Sequence, residues 1–446
     1  MISAHRRTIL CRVAVLFICT ASARGADVSI STVSVTAKER INAQIPANAS
    51  PVATDASLGA SAITPGYTII PLPAFVYNRN EGAWIGALTP IFRANAKGQI
   101  EDIYAPLYLR NKLIGDTFTF NYFGYRSGTR QFHFIASHAT KVERLLDFGY
   151  KDIALGDEGR YIVSFLANSG KSAFNRFYGF GSQANEQRES NYAMNDSNVN
   201  LSAGINLSPR VAVLAGERFR NVRIENGVVS SLPQTLEAFP RAPGLGGAQI
   251  WAQGLTVAYD SRDNPLTPLR GTYASATTEN EQNYQPGRRL NWWHMAAEVR
   301  NFTPNLNGRA VFVTHAFVDA LARDRAGLTP RGVPFYERPT LGGENTLRAY
   351  GLGRFVSNHA VLLNLEERFS VVQRSIMGNV IELEVAPFLD IGRVGKNFDF
   401  PDFFDNMQYN PGLGLRVLAR PNIAARLDVA YGRDGASVFV GLDYPF

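Results

Sequence analysis

From about Tyr67 to the end of the chain, apolar and polar residues alternate one by one over many short segments. Within 291–302, for example, the apolar residues are Trp293, Met295, Ala297 and Val299. They alternate with the polar residues His294, Glu298 and Arg300. The same pattern recurs in 249–259, 359–369, 379–391 and 424–432. A side-chain period of two is typical of β-strands with one apolar and one polar face. The alternation therefore predicts an all-β chain.

Two all-β architectures fit this alternation. A β-sandwich turns its apolar faces inward, whereas a membrane β-barrel turns them to lipid and its polar faces to an aqueous lumen. The alternating segments are about 9–13 residues long, which is enough to cross a bilayer when a strand is tilted. Segment length therefore favours the membrane barrel.

Connection lengths and aromatic positions favour the barrel as well. Very short turns alternate with long loops, the latter at roughly 220–248, 323–358 and 393–410, as in outer-membrane barrels. Aromatic residues gather toward segment ends, where they can form interfacial girdles. The last segment alternates up to Phe446, so the chain ends on an aromatic residue. Residues 67–446 are predicted to form a transmembrane antiparallel β-barrel.

The first residues have the pattern of a secretory signal. Arg6 and Arg7 precede a short apolar stretch, and Ala21-Ser22-Ala23 fits the small-x-small cleavage rule. Residues 1–23 are predicted to be a signal peptide; the alternative is an N-terminal anchor, although the apolar stretch is short for a membrane span. Residues 24–66, rich in Ala, Ser, Thr and Pro, are predicted to be a flexible periplasmic tail.

Composition argues against several classes of function. Both cysteines, Cys11 and Cys19, lie in the predicted signal, so cleavage after Ala23 would exclude disulfides and thiol catalysis. Loss of the three signal arginines lowers the formal charge from +7 to +4, with no basic cluster that would bind nucleic acid. The six histidines show no HExxH or paired metal-ligand spacing. We expect no enzyme, no cofactor and no metal site.

One loop and one later strand carry motifs of a known family. The loop contains Leu347-Arg348-Ala349-Tyr350, and the strand reads Phe388-Leu389-Asp390-Ile391-Gly392. These residues resemble the Val/Leu-Arg-Gly-Phe/Tyr loop motif and the Phe/Gly-x-Asp-x-Gly strand motif of the BamA/TamA superfamily, also called the bacterial surface antigen family. The resemblance covers roughly 170–446 by motif and 67–170 by pattern. It implies sixteen strands and a long loop that folds into the lumen.

The resemblance also implies a set of structural site residues: Arg348, Tyr350, Glu366, Phe388, Asp390, Gly392 and the terminal Phe446. In the family the loop arginine meets the strand aspartate, and a guanidinium fork suits a carboxylate. Without the resemblance, Arg348 would be an exposed loop residue of little energetic weight. Ala349 departs from the family's usual glycine, a residue that permits positive φ or close backbone approach.

By the same resemblance, the barrel assists insertion or transport of proteins or lipids at the bacterial outer membrane. Expected partners are outer-membrane lipid and unfolded outer-membrane or secreted proteins. Family members carry polypeptide-transport-associated domains, which residues 24–66 are too short to form. Client capture is therefore expected to use a periplasmic partner or not to occur. A passive pore, and a structural or adhesive barrel that uses the 220–248 loop, are the alternatives.

The first predicted strand, about 68–78, contains Pro71 and Pro73. Proline has no N–H, and residues two apart point their backbone groups to the same strand edge. If that edge faces the last strand, closure is weak there and the strands can separate as a lateral gate. If it faces the second strand, the gate hypothesis fails.

Overall fold

The structure, a computed structural model, describes residues 66–441 except 70, 97–99, 128, 266, 324–331, 377–378, 398–403 and 420–421. The predicted signal peptide, residues 24–65 of the predicted tail, and Phe446 lie outside the described residues. Among the described residues, no helix has the length and apolar character needed to cross a membrane.

The strands of the first half are β1 (Gly66–Ile69), β2 (Leu72–Asn78), β3 (Gly82–Leu88), β4 (Ile91–Ala94), β5 (Ile100–Asn111), β6 (Gly115–Tyr125), β7 (Arg130–Ala139), β8 (Arg144–Leu155), β9 (Tyr161–Phe177), β10 (Ser190–Ser208) and β11 (Val211–Asn226). Those of the second half are β12 (Ala248–Asp260), β13 (Gly271–Asn283), β14 (Leu290–Asn305), β15 (Ala310–Arg323), β16 (Thr340–Leu341), β17 (Phe355–Val356), β18 (His359–Ile376), β19 (Asn379–Gly395), β20 (Gln408–Ala419), β21 (Asn422–Gly432) and β22 (Gly435–Gly441). The helical elements are α1 (Thr235–Ala238) and the 3-10 turns Asp157–Gly159, Glu186–Arg188, Leu306–Gly308 and Phe335–Glu337.

One antiparallel sheet of twenty segments contains every strand except β16 and β17, which pair with each other. Its first two strands are broken: β1 pairs with β4, β2 pairs with β3, and both β3 and β4 pair with β5. Pro71, which cannot donate to a ladder, lies in the break between β1 and β2. Counted with their halves joined, the described segments make eighteen strands, so the expected number of sixteen is not confirmed.

Polarity across the sheet is inside-out. On β14, Trp293, Met295 and Val299 are 38%, 43% and 45% exposed on the outer face, while the alternating His294 and Glu298 are buried. The five segments that alternate most clearly in the sequence lie in β12, β14, β18, β19 and β21. Apolar residues outside and charged residues inside are the arrangement of a membrane barrel with a polar lumen.

The two ends of the sheet meet. β2 and β22 lie side by side, with Cα atoms within 8 Å. Within the described residues no strand ladder joins them, whereas the other neighbouring strands are paired in register. We call this boundary the seam.

The long connection between β15 and β18 folds into the barrel. Its described part, residues 332–358, is called the inward loop. Leu347, Ala349, Tyr350 and Phe355 of this loop are at most 1% exposed, and they pack in one cluster with Phe388 and other wall residues. The loop therefore occupies the lumen, as the resemblance implied.

A second loop, residues 227–247 between β11 and β12, packs on the inward loop. The Phe239 ring lies 4.8 Å from that of Phe177, which in turn lies 4.7 Å from Phe335 of the inward loop. The Phe335 N–H donates to the Pro243 carbonyl at 2.9 Å. The adhesive alternative used the 220–248 loop as its contact surface. Much of that loop packs against the rest of the chain instead.

Glu143, in the turn before β8, is a partly buried acid that makes stability pH-dependent. Burial, with the neighbouring Glu81 carboxylate, raises the pKa of Glu143 from 4.5 to about 8, although its hydrogen bond from the Ala173 N–H opposes the shift. The folded state therefore holds a proton that the unfolded chain releases above pH 4.5. Its stabilising effect is full below that pH and is lost as pH rises toward 8.

We expect Glu143→Gln to stabilise the barrel at pH 9, by up to about 4 kcal/mol, and to change little at pH 4, because the amide mimics the protonated acid. The midpoint of heat-induced unfolding on gels measures this at both pH values. Exposed Glu158 provides the control, as Glu158→Gln. Equal shifts at pH 4 and pH 9 would contradict the assignment.

Candidate functional site

The tip of the inward loop is shaped by a short hairpin. β16 and β17 pair Thr340 with Val356 and Leu341 with Phe355, closing the loop at its base. Gly342 follows with φ +114°, and a side chain there would meet the Gly351 carbonyl at 2.4 Å. Glycine at 342 therefore lets the chain turn tightly and carry residues 343–354 toward the wall.

Arg348 lies at the tip and binds Asp390 on β19. Its backbone N–H donates to Asp390 Oδ2 at 3.0 Å, and its Nη2 donates to Asp390 Oδ1 at 2.7 Å. Nη1 donates to Glu366 Oε2 on β18, also at 2.7 Å. The guanidinium carbon lies 3.3 Å from the centroid of the Phe388 ring. Four residues singled out in the sequence thus meet at one point of the lumen wall.

This contact belongs to a buried network of charges. Glu366 also accepts from Arg368 at 2.8 Å and from Arg416 at 3.2 Å, and Arg416 pairs with Asp428 at 2.7 Å. Arg348 and its carboxylate partners have no exposed side-chain surface. Because buried charges are stable only when paired and hydrogen-bonded, each member of the network depends on the others.

Tyr350 and Gly392 complete the contact between tip and wall. The Tyr350 hydroxyl donates to Gln408 at 2.7 Å and accepts from the Arg433 N–H at 3.1 Å. A side chain at Gly392 would meet Leu341 Cδ1 at 3.0 Å and Leu347 Cδ2 at 3.3 Å. Gly392 therefore leaves room for the loop to lie on the strand.

Ala349, the departure from the family motif, needs no unusual backbone. It is not among the described residues with positive φ. It is fully buried, and its Cβ would lie 2.8 Å from a Cβ built on Gly432. The close approach is therefore accommodated by glycine on the wall rather than at the loop tip.

A second anchor of the inward loop was not predicted. Glu337 of the 3-10 turn binds Arg220 on β11, whose Nη2 donates to Asp196 on β10 at 2.6 Å. Arg218, also on β11, lies 3.6 Å from Glu337. The residues are far apart in the sequence and belong to no local motif. The only signal was that Arg218 and Arg220 lie two residues apart and therefore share one face of the same strand.

A third set of contacts lies at the rim of the barrel beside the seam. Arg354 of the inward loop pairs with Asp434, in the turn between β21 and β22, at 2.5 Å. Arg79, in the turn between β2 and β3, donates to the Asp434 carbonyl at 2.9 Å. Arg354 also donates to the Ala184 carbonyl at 2.9 Å. Through these contacts, residues 79, 184, 354 and 434 connect the first hairpin of the barrel to the last.

The remaining sequence-predicted site residues do not join this cluster. Pro71 interrupts the first strand, and Pro73 lies in β2 opposite Ala87 of β3, so both belong to the strand at the seam. Phe446 lies outside the described residues. The cluster binds a loop to a wall through ion pairs and hydrogen bonds.

The sequence matches the Omp85 superfamily domain over residues 143–438. No curated protein matches it. Among solved structures, BamA from Haemophilus ducreyi lacking POTRA domains 1–3 is 14% identical, with a TM-score of 0.53 and coverage of 85% of this chain and 70% of that one.

Two further structural matches have lower scores. CdiB from Acinetobacter baumannii is 13% identical, with a TM-score of 0.40 and coverage of 85% of this chain and 60% of that one. CdiB from Escherichia coli is 11% identical, with a TM-score of 0.44 and coverage of 85% and 62%. The chain therefore spans less than two thirds of either CdiB chain. Because the family match covers more than half of the chain, the protein belongs to the Omp85 superfamily and is an outer-membrane β-barrel.

Proposed function

We propose that this barrel assists the insertion or transport of proteins, or of lipids, at the outer membrane by opening its seam, without covalent chemistry. Its clients are unfolded outer-membrane or secreted proteins, delivered by a periplasmic partner. Arg348, Asp390 and the residues around them hold the inward loop across the lumen while the seam opens and closes.

The observation that carries this proposal is the seam. β2 and β22 are neighbours without a ladder in the described part of the sheet, while β21 and β22 pair over seven residues. Unpaired strand edges are templates for pairing with another chain. An edge that opens without breaking a full ladder suits a protein that admits or releases extended segments.

The filled lumen favours this function over a passive pore. The inward loop crosses the interior and buries Arg348 and Tyr350 against the wall. Residues 227–247 pack against the inward loop. Buried ion pairs are costly to desolvate. A loop that such pairs hold across the lumen is therefore not expected in a permanently open channel.

Locking the seam should abolish activity. We expect a disulfide between Val438→Cys on β22 and a cysteine at position 74, 75 or 76 of β2 to stop the protein from accelerating the folding of a probe, an unfolded eight-stranded barrel, into vesicles that contain it. A reductant should restore the activity. Three positions are tried because disulfides tolerate only a narrow range of Cα separations.

The matched control locks an ordinary ladder. Val429 lies directly opposite Val438 on β21 and β22, so a Val429→Cys, Val438→Cys disulfide should leave folding of the probe unchanged. Activity that survives the seam lock would remove the gate. Steady single-channel conductance through both locked forms would support a passive pore instead.

A further inference from the structure

The outer face of β8 to β11 carries a row of basic side chains near one end of the strands. Arg144 on β8 lies directly opposite Lys171 on β9. Asn195 on β10 is paired with Lys171 on one side and with Arg223 of β11 on the other. We call these four residues the cation row. The row lies near the ends of β9 and β11 that lead into long loops, which are extracellular in outer-membrane barrels.

The cation row carries more positive than negative charge. Lys171 Nζ lies 2.6 Å from a carboxylate oxygen of Glu225, an exposed residue of β11. Arg144 and Arg223 are exposed, and within the described part of the chain neither forms an ion pair. Glu217, the other acid on this face of β11, lies further along the strand and is bound by donors of β12. Three cations therefore share one nearby carboxylate.

Several basic residues elsewhere on the outer side of the barrel are paired with acids. Near the short-turn end, Arg126 lies 3.2 Å from Asp102, and Arg130 lies 2.9 Å from Asp152. Arg93 also pairs with Asp102. These ion pairs balance the charge locally, whereas the cation row keeps a net positive charge that attracts anions.

Toward the middle of the membrane, the cation row is followed by a polar row and then by an apolar row. Ser169 and Ser197 lie opposite each other two residues from the cation row, with their Oγ atoms 2.8 Å apart. Ser197 also lies opposite Asn221. Phe148 and Phe219 belong to the next row and are 40% and 43% exposed. Because aromatic girdles lie where the hydrocarbon meets the lipid headgroups, the cation row lies at the level of the headgroups.

A groove of about 440 Å³ follows the polar and apolar rows. The residues that border it include Leu146, Ser169, Ser197, Phe219, Asn221 and Tyr284. Leu146 is on β8 and Tyr284 follows β13, so the groove extends across the strands rather than along one of them. It therefore offers hydroxyl and amide groups next to apolar surface, beside the cation row.

We propose that the cation row and this groove bind a phosphorylated glycolipid of the outer leaflet. Arg144, Lys171 and Arg223 donate to phosphate oxygens, as arginine and lysine commonly do. The serine hydroxyls and the Asn221 amide, which both donate and accept hydrogen bonds, bind sugar hydroxyls. The apolar row contacts the acyl chains. A lipid with a phosphate and no sugar would meet only the first and last of these requirements.

The three cations come from three different strands, so they form no basic cluster in the linear sequence. Ladder pairing brings them into one row. Neither β2 nor β22 contributes a residue to the cation row or to the named border of the groove. Binding of the glycolipid is therefore independent of the seam and goes beyond the function proposed for it.

Native mass spectrometry of the folded protein in dodecyl maltoside tests the proposal with diphosphoryl lipid A, an acylated and phosphorylated disaccharide. We expect one lipid A to stay bound per chain. Binding should be about tenfold weaker in the double variant Arg144→Gln, Arg223→Gln, because each basic residue near a lipid phosphate contributes to affinity. Phosphatidylglycerol, which has a phosphate and no sugar, should be retained less well than lipid A by the wild-type protein. That comparison does not depend on the variants folding.

Arg110→Gln is the matched control. Arg110 is exposed at the long-loop end of β5, but it lies 3.5 Å from Asp116 and is outside the cation row. This variant should retain lipid A as the wild type does. The proposal would be overturned by a wild-type protein that retains no lipid A, or by equal retention in the double variant and the Arg110 variant. Equal retention of phosphatidylglycerol and lipid A would also overturn it, because the sugar would then contribute nothing.

Discussion

Replacing Arg348 with alanine should release the inward loop from the wall while leaving the protein in the membrane. The substitution removes three side-chain hydrogen-bonding contacts to Asp390 and one to Glu366. The hydrogen bond from the backbone N–H of residue 348 to Asp390 can remain. Removing one partner of a buried ion pair costs about 3–5 kcal/mol, because the other charge stays buried without compensation. The loop, rather than the barrel wall, should absorb most of this cost.

Trypsin measures the release directly. Arg354, which precedes Phe355, is a potential cleavage site within the inward loop, and it is 1% exposed in the folded protein. We expect rapid cleavage there in Arg348→Ala and slow cleavage in the wild type. The barrel of the variant should remain folded, as shown by a change in its gel mobility on heating. Arg348→Lys should be intermediate, because an ammonium keeps the charge but cannot make the paired contacts of a guanidinium.

Arg374→Ala is the control, because Arg374 is exposed on β18, the strand that carries Glu366. It should leave the digestion pattern unchanged. If Arg348→Ala were digested no faster than Arg374→Ala, the loop would be held by its apolar packing, and the role proposed for the ion pair would be wrong.

Much of the fold could be predicted from the alternation itself. A period of two fixes which side chains share a face, and His294, Glu298 and Asp428 all lie inside as their positions require. The strand count could not be predicted in this way. Alternation does not show that a break such as that at Pro71 leaves two halves in one strand, and the figure of sixteen came from a resemblance.

The candidate site was only partly predictable for a similar reason. Arg348 and Asp390 were paired because two motifs of one family contain them. Glu337 and Arg220 are 117 residues apart, and nothing local distinguishes Glu337 from other loop acids. Contacts between a loop and a distant strand depend on how the loop enters the lumen, which hydrophobic periodicity does not encode.

Replacing Arg220 with methionine should destabilise the barrel more than any other single change in the second anchor. Arg220 donates to both oxygens of Asp196, at 3.0 and 3.1 Å from Nε, and it also binds Glu337. Without it two buried carboxylates remain, with Arg218 compensating only Glu337. We expect a loss of about 3–5 kcal/mol, measured as a lower midpoint of heat-induced unfolding. Arg223→Met, at an exposed position of the same strand, should change the midpoint little.

Substitutions of the two carboxylate partners of Arg220 should have different effects. One should change the stability of the wall, and the other should change the position of the loop. Asp196 lies on the wall, so Asp196→Asn should lower the unfolding midpoint while the inward loop stays resistant to trypsin. Glu337 lies on the loop, so Glu337→Gln should expose the loop to trypsin with a smaller change in the midpoint, because Arg220 keeps Asp196. The loop would then have two independent electrostatic anchors, and Arg348→Ala combined with Glu337→Gln should give cleavage faster than either alone. A double variant no faster than Arg348→Ala would mean that the Glu337 contact forms only when Arg348 is bound.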